Sequence, residues 1–126
     1  MSTNVRVIHH SDFLRVRADG RADMDMAKSM LARVAATADT LDEYEILIDI
    51  RDVVGQLTPD EVYELAGSLD QFRGTFLRKT AVLCPRERFD NAKLFSLIAI
   101  SHGFRHIRAF LTYEDAMEWL LAAWDD

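Results

Sequence analysis

The chain has 126 residues and a net charge of −6, from 21 acidic and 15 basic side chains, and 49% of it is apolar. That length suits one domain over residues 1–126 with a core of its own. The acidic balance argues against nucleic acid as a partner, because phosphate binding needs a concentrated basic surface. A single cysteine, Cys84, excludes an internal disulfide framework and fits a reducing compartment.

"MSTNVRVIHH" lacks the basic start and apolar core of a signal peptide. The longest apolar run, "LFSLIAI", is too short for a membrane span, so the expected place is the cytoplasm. In chain order, "NVRVIHH" and "FLRVRADG" alternate and predict a hairpin turning at "HSD". "DMDMAKSMLARVAATADTL" carries Ala27, Met30, Leu31, Val34 and Ala38 near helical spacing, with early aspartates suited to a helix start. Its methionines read as core filler, with an adaptable binding surface as the alternative.

"YEILIDI" reads as a strand buried on both faces, as parallel strands are. A helix starts at Pro59, with Val62, Leu65, Ala66 and Leu69 in one stripe. "RKTAVLCP" is a second buried strand, stopped by Pro85. "NAKLFSLIAISHGF" is a third helix with Gly103 at its C-cap. "HIRAFLT" is the last strand, and "YEDAMEWLLAAW" the last helix, with Met117, Leu120, Leu121 and Trp124 aligned. The order β-β-α-β-α-β-α-β-α predicts an α/β fold with a mostly parallel mixed sheet, right-handed crossovers and an antiparallel N-terminal edge.

Motifs for chemistry are sparse. There is no "GxGxxG" and no P-loop, which argues against dinucleotide or ATP binding, and no cofactor is expected. Adjacent His9 and His10 point to opposite faces of a strand and cannot easily share a metal. His102 and His106 straddle a helix end without partners at ligand spacing, so no metal site is expected. Cys84 in "AVLCP" reads as a buried, inert thiol, with an activated nucleophile as the alternative. Asp49 of "DIRD" could serve as a base or tie down the next loop. Arg73, Arg78, Arg86 and Arg88 read as solvated loop charges, with an anion site as the alternative. No catalytic residue is assigned, and the chain is not expected to be an enzyme.

Two stretches stand out. Around the third helix Leu94, Phe95, Leu97, Ile98 and Ile100 spread over most of the circumference, so a second side must be covered. Trp119 and Trp124 make the last helix similarly broad. These seven residues are the candidate surface for an apolar, lipid-like ligand or a homodimer, unless the two helices cover each other. In "LTPDE", Thr58 as N-cap, Pro59 at the first helical position and Glu61 three residues on make a complete capping box.

Together these stretches resemble the SpoIIAA-like branch of the STAS (sulphate transporter and anti-sigma factor antagonist) families, also described as STAS/SEC14-like. "ILIDIRDVVGQLTPDEVYEL" looks like the family's strand, Asp, loop and helix. "RKTAVLCP" looks like its central strand, and "IRAFLTYEDAMEWLL" like its ending. The resemblance implies a single-domain βα superhelix that binds or regulates and is not an enzyme. In sigma-factor antagonists the loop carries "DSSG", with a phosphorylated serine. Counted from Asp49, that serine falls on Thr58, which the resemblance makes the candidate phospho-acceptor for a phospho-switched regulator with a regulatory protein partner. Here Leu57, Pro59 and Asp60 stand where the rest of "DSSG" would be.

Overall fold

The computed structural model describes residues 4–10, 13–41 and 44–122, with the backbone alone for residues 4–10 and 13. The turn at "HSD" therefore lies largely outside the described residues. Among the described residues five strands form one sheet: β1 (Asn4–His10), β2 (Phe13–Arg21), β3 (Glu45–Val54), β4 (Thr80–Leu83) and β5 (Ile107–Phe110). Their order in space is their order in sequence, β1-β2-β3-β4-β5. Strands β2 to β5 run parallel, and β1 pairs antiparallel with β2 from Asn4 opposite Asp19 to His10 opposite Phe13. The β2–β3 register slips between Arg17 and Asp19.

Helix α1 (Met24–Ala38) is capped by the Asp23 carboxylate, which accepts from the Met26 amide at 2.7 Å. Helix α2 (Pro59–Gly67) ends sooner than the stripe of Val62, Leu65, Ala66 and Leu69 predicts. The chain tightens after Gly67 into a 3₁₀ turn over Ser68–Phe72 and resumes as α3 (Arg73–Phe76). Helix α4 (Phe89–Ser101) runs to a C-cap at His102, and Gly103 turns the chain with φ 93°. A Cβ on Gly103 would also sit 3.0 Å from the Arg73 guanidinium, so both backbone and space favour glycine. Helix α5 (Tyr113–Leu121) is capped by Thr112, whose hydroxyl accepts from the Asp115 amide at 3.2 Å.

A right-handed crossover between parallel neighbours puts its helix on a fixed side of the sheet. Because the strands advance one step at a time in one direction, the crossovers carrying α1, α2 and α4 share a face. Strand alternation then assigns the core. Leu14, Val16, Ile46, Ile48, Val82 and Ile107 meet these three helices. Leu47, Ala81 and Leu83 point the other way and meet Ala116 and Leu120 of α5. Leu121, expected in the α5 stripe, is instead 77% exposed.

Buried Cys84 lies with the three-helix core. Lys79, also buried, crosses beneath the end of α5 and donates to the carbonyls of Trp119 and Ala122 at 2.9 and 2.7 Å. Among the described residues no helix is long and apolar enough to cross a membrane.

Candidate functional site

The C-terminal edge of the sheet gathers the joins that follow β3 and β4. Strand β3 ends at Val54, and Gly55 turns the chain with φ 76° in open space. Leu57 then packs against the core, and exposed Thr58 opens α2. The capping box expected from "LTPDE" is present in full. The Thr58 hydroxyl accepts from the Glu61 amide at 3.2 Å, and the Glu61 carboxylate accepts from the Thr58 amide at 2.9 Å.

The neighbouring join holds this loop from below. Arg88 donates to the Ile50 carbonyl at 2.7 Å and to that of Gly55 at 3.1 Å, and the Asn91 amide donates to the Leu57 carbonyl at 2.8 Å. Arg88 is only 8% exposed, so the reading of all four arginines as solvated loop charges fails here. It holds for exposed Arg86. Arg73 pairs with Asp70 at 2.7 Å and donates to the His102 carbonyl at 2.7 Å, while the Arg78 guanidinium lies 5.2 Å over the Tyr44 ring. Sequence spacing gave no sign that Arg88 was different.

Asp49 is buried on the opposite face, 2% exposed, in the fork of Arg51. Arg51 donates side-chain N–H groups to both carboxylate oxygens, at 3.1 and 2.9 Å, and its amide at 3.1 Å. Arg15 stands 3.9 Å away. Burial acts to raise the Asp49 pKa, but the Arg51 hydrogen bonds outweigh it and hold the carboxyl below its usual range. A weak base held this way suits tying down the backbone better than abstracting protons.

The Cys84 thiol lies 3.6 Å from the Phe110 carbonyl, and burial pushes its pKa up to about 11. It is therefore protonated at neutral pH and not an activated nucleophile. His102 Nδ1 lies 3.3 Å from the Asp70 carboxylate at the end of α4. Burial lowers the His106 pKa, with Arg105 and Lys79 adding to the effect. His9 and His10 are described by backbone alone. Among the described residues no group of three or more His, Cys, Asp or Glu could hold a metal ion.

The candidate apolar surface does not form one groove. Leu94, Phe95, Leu97, Ile98 and Ile100 ride on α4, whose core lies on the three-helix face. Trp119 sits on α5, across the sheet. Nor do the two helices cover each other, since the sheet separates them. Trp124 lies outside the described residues.

On α4, Ala92 and Ala99 are buried deepest, and Leu94, Phe95 and Ile98 are half-buried. Leu97 and Ile100 face outward, 64% and 49% exposed. Trp119 stacks 5.5 Å from the Phe110 ring, with the cations of Lys79 and Arg108 5.3 and 5.5 Å from its own. An apolar cavity of about 120 Å³ does exist, but between the sheet and α1, α2 and α4, beneath Leu57.

No family model matches the chain, and no curated protein matches it. Solved structures do. An anti-sigma factor antagonist from Mycobacterium paratuberculosis superposes with a TM-score of 0.65 at 16% identity, covering 96% of each chain. An uncharacterised protein with a SpoIIAA-like fold from Shewanella loihica gives 0.57 at 16% identity, over 94% of this chain and 93% of that one. A serine-to-glutamate variant of RsbS from Moorella thermoacetica gives 0.60 at 9% identity, over 92% and 93%. This is an α/β domain of the SpoIIAA-like fold, and the resemblance read from its sequence holds at that level. Identities this low establish architecture and leave the function to the site itself.

Proposed function

We propose that the chain is a non-enzymatic, cytoplasmic regulatory module of the anti-sigma factor antagonist kind, docking a protein partner at the edge around Thr58. The observation that carries this is the exposed Thr58 hydroxyl, at the first turn of α2 and directly after β3, in a fold shared with an anti-sigma factor antagonist. A phosphate there would meet the amides at the start of α2. It would also repel Asp60 and Glu61, so phosphorylation would open the capping box. That gives the modification a structural effect at the docking edge.

The test is incubation with each anti-sigma kinase of the same host and ATP, read by intact mass and by binding. Binding with a phosphate on Thr58 supports the whole reading. Binding without it keeps the module and removes the switch. Neither with any kinase removes both. A second reading, a homodimer through α4, is favoured by the exposure of Leu97 and Ile100. Light scattering that finds a monomer, unchanged in Leu97→Glu, would end it.

A further inference from the structure

Two methionines of α1, Met26 and Met30, line the cavity beneath Leu57, together with Val62, Leu65 and Phe95. Met30 is buried. Met26 is half-exposed, as are Ala22 and Leu57 in the same wall, and Gln56 is exposed. Ala22 follows β2, while Gln56 and Leu57 follow β3, so the wall reaches water at the C-terminal edge of the sheet. That edge is where open α/β sheets take ligands. Methionine is unbranched and polarizable, and it can yield around an occupant where a branched side chain cannot.

The polar residues of the buried wall are committed elsewhere. Arg88 spends both Nη groups on the Gly55 and Ile50 carbonyls, and its Nε is shielded. The Asn91 amide donates to the Leu57 carbonyl, and the Thr80 hydroxyl to that of Arg78 at 3.1 Å. Gln56 stands at the rim. A polar group carried inside would therefore lose its water partners and gain none. Water itself is a poor filler, because a buried water needs about two to four polar partners. The wall offers dispersion contact instead, which a hydrocarbon of matching size takes up in full. The volume of about 120 Å³ compares with the roughly 150 Å³ of an apolar cavity that holds benzene.

We propose that this cavity binds a small, neutral, wholly apolar molecule, a hydrocarbon no larger than a single ring, which enters at the sheet edge beside Met26 and Leu57. Selectivity comes from the wall, which rejects a polar group for want of a partner and a larger ring for want of room. The site stands independently of protein docking at Thr58, although Leu57 belongs to its wall and Thr58 follows directly.

Benzene is the probe, with phenol as a polar counterpart of nearly the same shape. The methionine methyl groups report by NMR. Met26 and Met30 line the cavity, while Met117 sits across the sheet as an internal control. The expected result with benzene is a saturable shift at Met26 and Met30 and none at Met117. Phenol should bind about tenfold or more weakly, the cost of an unpaired hydroxyl. Val62→Phe, which fills the cavity, should abolish the benzene response while the Met117 signal keeps its folded position. No saturable shift with benzene, equal affinity for phenol, or a response at Met117 as large as at Met26 and Met30 would each overturn the proposal on the wild-type protein alone.

Discussion

The Lys79 ammonium donates to the Trp119 carbonyl at 2.9 Å, joining the residue just before β4 to the end of a helix 40 positions later in the chain. A second bond, to Ala122 at 2.7 Å, makes Lys79 a cap on the last turn of α5. A cation at a helix C-terminus meets both the free carbonyls and the helix dipole. α5 has only nine residues and packs few side chains, so the cap counts heavily. Lys79→Met keeps the length and removes the donors. The expected loss is about 1.5–3 kcal/mol, read as a lower urea midpoint with earlier hydrogen exchange in α5. An unchanged midpoint would show that packing alone holds the helix.

Thr58→Ala should cost about 1 kcal/mol of stability, the usual worth of an N-cap. Because the Thr58 and Glu61 side chains satisfy each other's amides, Glu61→Ala should share that loss. The double variant should then cost less than the sum of the two. Thr58→Asp keeps a capping oxygen and should stay near wild-type stability. Strict additivity in the cycle would mean that the two bonds do not cooperate.

Asp49 links stability to pH. Its folded pKa lies below the unfolded value, so the ionised form favours the folded state. That contribution is complete above the unfolded pKa of about 3.9 and is lost as pH falls through the folded pKa. Denaturation midpoints should therefore fall below about pH 4. Asp49→Asn should flatten this acid limb, with Arg51→Met flattening it in parallel. A limb of equal steepness in Asp49→Asn would assign the effect to other carboxylates.

Cys84 should resist alkylation. With its pKa pushed up to about 11 and its side chain buried, the thiolate is scarce and inaccessible at pH 8. Iodoacetamide should label it promptly in denaturant and only through unfolding in native buffer. Fast native labelling would show that the β4 edge opens.

Strands and helices were legible because their signals are local. Alternation in β2, continuous apolar runs in β3 and β4, and cap chemistry at Thr58 and Thr112 all act within a few residues. The break in the second helix was less visible, since the stripe through Leu69 continues past Gly67 while the backbone does not. Helical periodicity also shows that a face is apolar without showing which side of the sheet it meets. That is why α4 and α5 read as one surface although the sheet divides them. Arg88 was harder still. Nothing in "PRERF" distinguishes Arg86 from Arg88, and only the tertiary path of the β3–α2 loop buries one and leaves the other in water.

The sheet also has a kinetic consequence. Since neighbouring strands in space are neighbours in the chain, no strand must wait for a later one to be inserted beside it. Each closure spans a single crossover, which keeps the entropy cost of pairing small at every step. During synthesis the sheet can therefore grow from the N-terminal side as residues emerge, with α5 and its Lys79 anchor arriving last. Pulse-labelled hydrogen exchange should find β2 and β3 protected before β5. The reverse order would show that assembly does not follow the direction of the chain.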